Sequence, residues 1–409
     1  MATTLVQPVG LENRRDMRGR FSRISRWLGA SRSHVHFYLT GLMALALIPA
    51  MNTARLPLQF DWARLLQAWT GLMFQSIFLA CVLYVVGGGY HLTVRPVLLR
   101  YWNDKRRLIL LVPLLAELIW LFNLVVAVVI IVAFLAIVEL AEQTRRKPGA
   151  LLDASRAVLL PGAYLFAGLM MVFAYNDVIA SFRFFGAYDP AFARADSWVL
   201  GGATVSGIAH SVGTHLPAAG YRILEFVYFG MFSQIGAGII LVALYLGMPK
   251  AFRLVGTLLA AYSFALLCFY LWPSHGPYYS CPIHFAAFPH QLTSYGAQQT
   301  LLARARALWE GKGIGSIGTD YYIAFPCMHI AQPLIVMWFL RPWKRVVAVL
   351  TAVNIVLVAA ILLLEWHYFV DILGGIAVAA LALLVVNWPA SDADQLRSHH
   401  HQRAAEGAR

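Results

Sequence analysis

Three ionisable side chains stand at the edges of apolar runs in the sequence. His329 follows Phe325-Pro326-Cys327-Met328, and His367 and Asp371 stand four positions apart at the start of a later run. Ionisable groups are costly inside a membrane span, so they mark functional sites and each needs a partner. We therefore treat His329, His367 and Asp371 as candidate catalytic residues.

The spacing of these residues predicts that they meet. His367 and Asp371 would lie one turn apart on one helical face. Asp371 would then accept a hydrogen bond from one imidazole nitrogen, fix the tautomer and raise the basicity of the other nitrogen. The 38 positions from His329 to His367 fit a descending helix, a basic turn and a returning helix, which brings the chain back to the same membrane boundary.

An imidazole that is supported by a carboxylate and faces a second imidazole suits in-line displacement at phosphorus. His367 would attack the phosphorus and form a phosphohistidine, while His329 would protonate the leaving alkoxide and then act as general base toward the acceptor. This arrangement requires no metal and no cofactor. Cations would neutralise charge on the phosphoryl oxygens, and the candidates are Arg304, Arg306 and Lys312.

The amino-acid composition indicates which kind of secondary structure must position these three side chains. Of the 409 residues, 60% are hydrophobic and 12% are charged, whereas soluble domains carry about 25% charged residues. The apolar runs are each long enough to cross a hydrocarbon core of about 30 Å as a helix. The sequence therefore predicts an all-α polytopic membrane protein, and it excludes both a transmembrane barrel and a soluble enzyme with one anchor.

The net charge of +13 comes from basic residues beside the apolar runs. Arginines between positions 14 and 32 precede the first run, and later clusters lie at 105–107, 145–147, 250–253 and 341–345. This is the positive-inside pattern, with attraction to acidic membrane lipids as a second effect. We expect membrane lipids as partners and no nucleic acid.

The runs divide the chain into four parts. We predict a basic cytoplasmic tail at 1–36, an N-terminal transmembrane region at 37–150, a six-helix core at 151–390 and a cytoplasmic tail at 391–409. The predicted spans lie near 37–53, 66–87, 157–176, 224–248, 252–272, 326–340, 346–365 and 367–388. The run at 108–140 is ambiguous, and we interpret it as a re-entrant or tight hairpin segment.

The basic turns fix the expected topology of the core. The turns at 249–253 and 341–345 should face the cytoplasm, so the segments 177–223 and 273–325 should lie on the extracytoplasmic side. Long loops are usually functional, and 273–325 is expected to cover the active site. The prediction is a multi-pass protein of the plasma (inner) membrane, with an extracytoplasmic site that lipid enters from the outer leaflet.

Several other residues have an ordinary interpretation beside a functional one. Tyr278 and Tyr279 fit an interfacial aromatic belt, with substrate contact as the alternative. The histidines of the 273–325 loop, His275, His284 and His290, have no familiar metal-ligand spacing. The cysteines show no Cys-x-x-Cys pair, which gives no signal for a zinc or redox site.

Two motifs resemble a known family. Phe325-Pro326-Cys327-Met328-His329 is similar to Phe-Pro-Ser-x-His, and His367-Tyr368-Phe369-Val370-Asp371 to His-Tyr-x-x-Asp, in the branch of the type 2 phosphatidic acid phosphatase superfamily that contains inositol phosphorylceramide synthase. Asp196 to Gly201 resembles a stretch that follows the first core helix of this branch. The resemblance covers about residues 157–388 and implies a six-helix phosphatidic-acid-phosphatase-like core. It also implies His367 as nucleophile, Asp371 as its partner and His329 as acid/base.

Three departures from the family pattern bear on the reaction. Cys327 stands where the family has a serine that helps hold phosphate, Ile361 stands where the phosphatases have an arginine, and their Lys-x6-Arg-Pro motif is absent. A dianionic phosphomonoester needs several fixed cations, whereas a phosphodiester carries one charge. We therefore expect head-group transfer from a phospholipid donor to a lipid or polyol alcohol, such as a ceramide.

Other classes of function remain as alternatives. One is hydrolysis by a lipid phosphate phosphatase. A second is a non-catalytic transporter or scaffold on a degenerate copy of the fold, although no internal repeat is found. A third is a haem-binding cytochrome, which the commitment of His367 to Asp371 disfavours.

Overall fold

The computed structural model describes the chain at residues 43, 45–47, 50–51, 54, 61–84, 87, 150–182, 188–280, 292–312 and 323–387. Some predictions concern residues outside these ranges: the tails 1–36 and 391–409, most of the span at 37–53, the run at 108–140, His284 and His290.

Eleven helices have defined bounds in the described residues, and no strand occurs among them. They are α1 Trp62–Tyr84, α2 Ala150–Phe182, α3 Asp189–Val199, α4 Val205–Gly213, α5 Ala218–Leu246, α6 Met248–Leu271, α7 Pro277–Ser280, α8 Thr293–Trp309, α9 Met328–Leu340, α10 Lys344–Leu363 and α11 Phe369–Asn387.

Six of these helices, namely α1, α2, α5, α6, α10 and α11, are long and apolar enough to cross a membrane. The all-α polytopic fold is confirmed. The six-helix core is also confirmed, and it consists of α2, α5, α6, α9, α10 and α11. In the described residues, the additional N-terminal helix α1 precedes this core. The core helices follow the predicted spans closely, except that α2 extends well beyond 157–176 and α9 is short. The 13 residues of α9 give a length of about 20 Å, so this helix is shorter than a typical span.

Helix α5 is the centre of the packing, because it contacts α1, α2, α6, α9 and α10. Side-chain amides join it to α10, since Gln234 and Asn354 exchange two hydrogen bonds of 3.1 Å. In lipid there is little hydrophobic gain when helices associate, so such interhelical bonds and close packing hold the bundle together. Behind this pair, α6 packs on α2, α9 and α11.

The crossing of α9 and α11 depends on two glycines. Gly374 lies against the ring of Phe325, and Gly375 lies against the backbone carbonyl of Cys327. A Cβ atom at either position would overlap these neighbours. The Gly-Gly pair therefore lets the segment before His329 approach the start of α11 closely.

We predict that Gly375→Ala destabilises the protein by about 1–3 kcal/mol, because the added methyl group must displace the Cys327 carbonyl. Thermal unfolding in detergent measures this. Gly230→Ala in α5 is the control, since no atom lies within 4 Å of its Cβ position, and better helix propensity should leave it neutral or up to about 1 kcal/mol more stable. Equal effects of the two substitutions would contradict the packing argument.

Candidate active site

His329 lies in the first turn of α9. The residue before this helix, Cys327, has an extended backbone, and its carbonyl oxygen accepts from the amides of Ile330 and Ala331 at 3.2 Å each. The Cys327 side chain is fully buried, and the Phe325–Pro326 peptide bond is cis. This entry into α9 presents the half-buried His329 ring to the neighbouring turn.

His367 lies in the turn between α10 and α11. The backbone N–H groups of Trp366 and His367 both donate to the Ile361 carbonyl, at 3.0 and 3.2 Å, and Glu365 has a positive φ of 55°. This tight turn buries His367, which is only 4% exposed. The prediction that His367 opens a helix is wrong in this detail, because α11 begins at Phe369.

Asp371 stabilises the start of α11 and orients His367 at the same time. Its Oδ2 accepts from the backbone N–H of Tyr368 at 2.9 Å, which satisfies a donor at the helix N-terminus. The same oxygen lies 3.3 Å from His367 Nδ1. The predicted contact is therefore present, although a capped turn produces it and not a shared helical face.

The structure brings His329, His367 and Asp371 together. His367 Nδ1 lies 2.9 Å from the Ala324 carbonyl as well as beside Asp371. Both neighbours are acceptors, so Nδ1 carries the hydrogen and Nε2 keeps its lone pair. His329 Nδ1 is 3.2 Å from that Nε2. The Ala324 contact has no signal in the sequence, because any residue can supply a backbone carbonyl.

Aromatic rings form one wall of the site. The Tyr228 ring on α5 stacks on His329 with centroids 4.4 Å apart and on Trp366 with centroids 5.1 Å apart. Tyr278 packs edge-on against Trp366 at 5.4 Å. These rings restrict both the His329 side chain and the turn that carries His367. Tyr228 has no sequence signal for this role, because it lies in an ordinary apolar helix.

Two carboxylates from α3 hold the backbone around the site. Asp196 accepts from the N–H groups of Phe369 and Val370 at 2.8 and 2.9 Å, and so caps α11. Asp189 accepts from the N–H groups of His275 and Gly276. The spacing of seven between the two acids places them on one face of α3, a signal that could have revealed both. Only Asp196 was noted in the sequence, within the stretch 196–201.

Burial shifts the ionisation of two groups in this scaffold. Burial raises the pKa of Asp189 to about 6, although the bonds from the Gly276 and His275 amides oppose the shift. Burial lowers the pKa of His275 to about 3, so this ring is neutral at pH 7. His275 stacks on Tyr279 with centroids 4.8 Å apart. His275 therefore belongs to the packed interior beside the site.

The predicted substrate-binding residues occupy different environments. Cys327 is buried next to the histidines. Tyr278 is 3% exposed, so it belongs to the core and not to an aromatic belt, whereas Tyr279 is 40% exposed.

The predicted cations lie on or after α8. Arg304 is half-buried, Arg306 is exposed, and Lys312 forms an exposed ion pair of 2.5 Å with Glu310. The start of α8 does reach the site, because Gln298 Nε2 donates to the Leu364 carbonyl at 2.8 Å. A role for the three cations in phosphate binding stays a prediction.

The comparison with known proteins agrees with this architecture. Residues 193–385, slightly less than half of the chain, match a family model described as the PAP2 superfamily. No curated protein and no solved structure matches the chain. Residues 193–385 of this integral membrane protein are thus similar to a PAP2 superfamily domain. The PAP2 superfamily generally consists of lipid enzymes of the phosphatase or phosphotransferase type.

We predict that Asp196→Ala destabilises the protein by about 1–2 kcal/mol, because the first two amides of α11 lose their acceptor. Thermal unfolding in detergent measures the loss. Asp153→Ala is the matched control, since Asp153 is exposed in the first turn of α2. If both variants melt like the parent protein, Asp196 does not cap α11.

His275 and Asp189 should have opposite effects on acid stability. Unfolding returns the His275 pKa from about 3 to 6.5, so its contribution is complete above pH 6.5 and is lost as the pH falls toward 3. Unfolding returns the Asp189 pKa from about 6 to 3.8, so its contribution is complete below pH 3.8 and is lost as the pH rises through 6. Each effect is at most about 1.4 kcal/mol per pH unit.

Melting temperatures at pH 7 and pH 4.5 test this pair. His275→Gln should shrink the loss of stability on acidification, whereas Asp189→Asn should enlarge it. A change of the same sign in both variants would contradict the assignment.

Proposed function

We propose that this protein is a membrane lipid phosphotransferase that moves a phospho-head group from a phospholipid to a lipid or polyol alcohol through a phosphohistidine at His367. The observation that carries the proposal is the alignment of Asp371, His367 and His329 through the two nitrogens of one ring. The PAP2 superfamily match supports the general class of reaction.

The hydrogen bonds of His367 identify the attacking atom. Nδ1 donates to the Ala324 carbonyl and to Asp371, which stabilise the positive charge that develops on the ring during attack. Nε2 keeps its lone pair, which faces His329 Nδ1, and is therefore the proposed nucleophile. The bond between Nε2 and phosphorus forms as the bond from phosphorus to the leaving alkoxide breaks.

His329 suits the second role, that of acid and base. In the free protein its Nδ1 occupies the position in front of His367 Nε2, at 3.2 Å. This gap is too small for a phosphorus atom, so substrate must displace the His329 ring, which then protonates the leaving oxygen. In the second half-reaction His329 removes the proton of the acceptor alcohol, and that oxygen takes the phosphoryl group from Nε2.

The surroundings of the nucleophile favour a phosphodiester over a phosphomonoester. The arginine of the phosphatases is replaced by Ile361, which is fully buried and whose carbonyl accepts from the His367 amide. The helix before His367 thus offers a buried isoleucine where the phosphatases have a cation. Cys327 offers a thiol, a weak donor, where the family has a hydroxyl. A substrate with one negative charge loses least from these replacements, and this supports transfer over hydrolysis.

The proposal includes the location of the reaction. The basic turns at 249–253 and 341–345 support a site on the extracytoplasmic side of the plasma (inner) membrane. The donor would enter laterally from the outer leaflet, between apolar helices, and the acceptor would be a lipid such as a ceramide or a polyol. The proposed substrate contacts are Cys327, Tyr278, Tyr279 and the cations at 304, 306 and 312.

The test is a transfer assay on the purified protein in detergent. A panel of phospholipids with labelled head groups is incubated with ceramide, diacylglycerol, inositol or water as the acceptor. We expect labelled head group on a lipid or polyol alcohol and, on rapid quenching, a labelled protein adduct that is stable to alkali and labile to acid. Free phosphate from a phosphomonoester, without transfer, would instead favour the phosphatase alternative.

Variants separate catalysis from folding. His367→Ala should abolish both transfer and the adduct, and Asp371→Asn should lower kcat by about 10²–10⁴-fold because the tautomer is no longer fixed. His215→Ala is the control, since His215 is exposed and bonds only to its own turn in the described contacts. Turnover that persists in His367→Ala would refute the mechanism. A folded parent protein that is inactive with every donor would favour the non-catalytic transporter or scaffold.

A further inference from the structure

Cys327, His329 and His367 bring three metal-binding atoms together at the centre of the site. The Cys327 sulfur and one nitrogen of each histidine all lie within 4.8 Å of one another. A thiolate and two imidazoles are the ligands that Zn²⁺ prefers among common divalent ions. We infer that these three residues form a Zn²⁺-binding site whose occupation blocks the nucleophile.

The distances between the donor atoms suit a tetrahedral ion. Zinc binds imidazole nitrogen at about 2.0–2.1 Å and thiolate at about 2.3 Å, so tetrahedral angles separate two nitrogens by about 3.3 Å and a sulfur from a nitrogen by about 3.6 Å. The facing nitrogens of His329 and His367 are 3.2 Å apart. The Cys327 sulfur lies within 4.8 Å of a nitrogen of each histidine, so all three donor atoms converge on one position.

The groups around His367 hold its ring in the way that metal-binding histidines are commonly held. Its Nδ1 donates to the Ala324 carbonyl and to Asp371, which directs the Nε2 lone pair into the cluster. Carboxylates and carbonyls of this kind fix the tautomer of metal-binding histidines and raise their basicity. Three protein ligands also leave one tetrahedral position for water.

Occupation of this site would inhibit the proposed reaction, and this part of the inference rests on the proposed function. Coordination uses the same Nε2 lone pair that attacks phosphorus, so one His367 ring cannot do both. Binding also breaks the Cys327 S–H bond, and the sulfur–metal bond replaces it with release of one proton to solvent. The replacement of the family's serine by Cys327 provides the thiolate ligand.

Cadmium reports on the site without any turnover. The metal-free, full-length protein in detergent is titrated with Cd²⁺, and the ultraviolet sulfur-to-cadmium charge-transfer band is recorded. We expect the band to saturate at one Cd²⁺ per chain and to be lost in Cys327→Ser. The control is Cys268→Ser, which removes a half-buried cysteine on α6 and should retain the band. Histidines elsewhere, such as the run 399–401, do not contribute to a sulfur band.

A second variant keeps the test decisive if Cys327→Ser does not fold. His329→Gln retains the sulfur but removes one ligand, and it should weaken the apparent Cd²⁺ affinity at least tenfold. The inference is overturned if the parent protein shows no band, if the band survives in Cys327→Ser, or if His329→Gln binds Cd²⁺ as tightly as the parent protein.

Inhibition is then measured separately with Zn²⁺ in the transfer assay. Half-inhibition of Cys327→Ser, relative to its own rate without metal, should require at least tenfold more Zn²⁺ than for the parent protein, and a chelator should restore activity. A cadmium band without any turnover would sink the proposed function and leave the metal site standing. Turnover that Zn²⁺ does not inhibit, despite a cadmium band, would overturn the blocking role.

Discussion

The hydrogen bonds at His367 Nδ1 are the interaction on which the rest of the site depends. A buried imidazole has two nitrogens, and its chemistry is decided by which of them carries the proton. Here the Ala324 carbonyl and the Asp371 carboxylate both face Nδ1, so Nε2 alone is left to react. These acceptors come from different parts of the chain. The fold must therefore hold residue 324 against the start of α11.

Backbone amides and buried carboxylates provide that hold. Asp371 binds the Tyr368 amide, Asp196 binds the next two amides of α11, and the Asp371 carbonyl accepts from the Cys327 amide at 3.0 Å. Asp189 fastens the His275 segment in the same way. Burial of a carboxylate costs free energy unless the group is hydrogen-bonded. Each of these acids therefore favours the arrangement in which its partner segment stays in place. The polar network therefore enforces one arrangement of four chain segments.

The sequence predicted the spanning helices and the catalytic candidates because both depend on local signals. A run of apolar residues predicts a spanning helix, and an ionisable residue at the edge of such a run indicates a candidate functional site. Contacts made by backbone groups, such as the Ala324 carbonyl, carry no side-chain signature. The role of Asp189 and Asp196 also required knowledge of how α3 lies against α11. The structure has a turn at His367 where a helix is predicted, because the same four-residue spacing fits both an α-helical face and a capped helix start.

Cys327 links the choice of substrate to the sensitivity of the site. Relative to a hydroxyl, a thiol donates a weak hydrogen bond and gives little stabilisation to a highly charged phosphate. Together with Ile361 in place of the phosphatases' arginine, this replacement supports the proposal of a phosphodiester substrate with a single charge. The same sulfur is a far better ligand for zinc than a hydroxyl is. In the proposed reaction, a sulfur in place of the oxygen therefore has two effects. It weakens the hydrogen bonding to phosphate, and it allows a soft metal ion to coordinate the nucleophile His367.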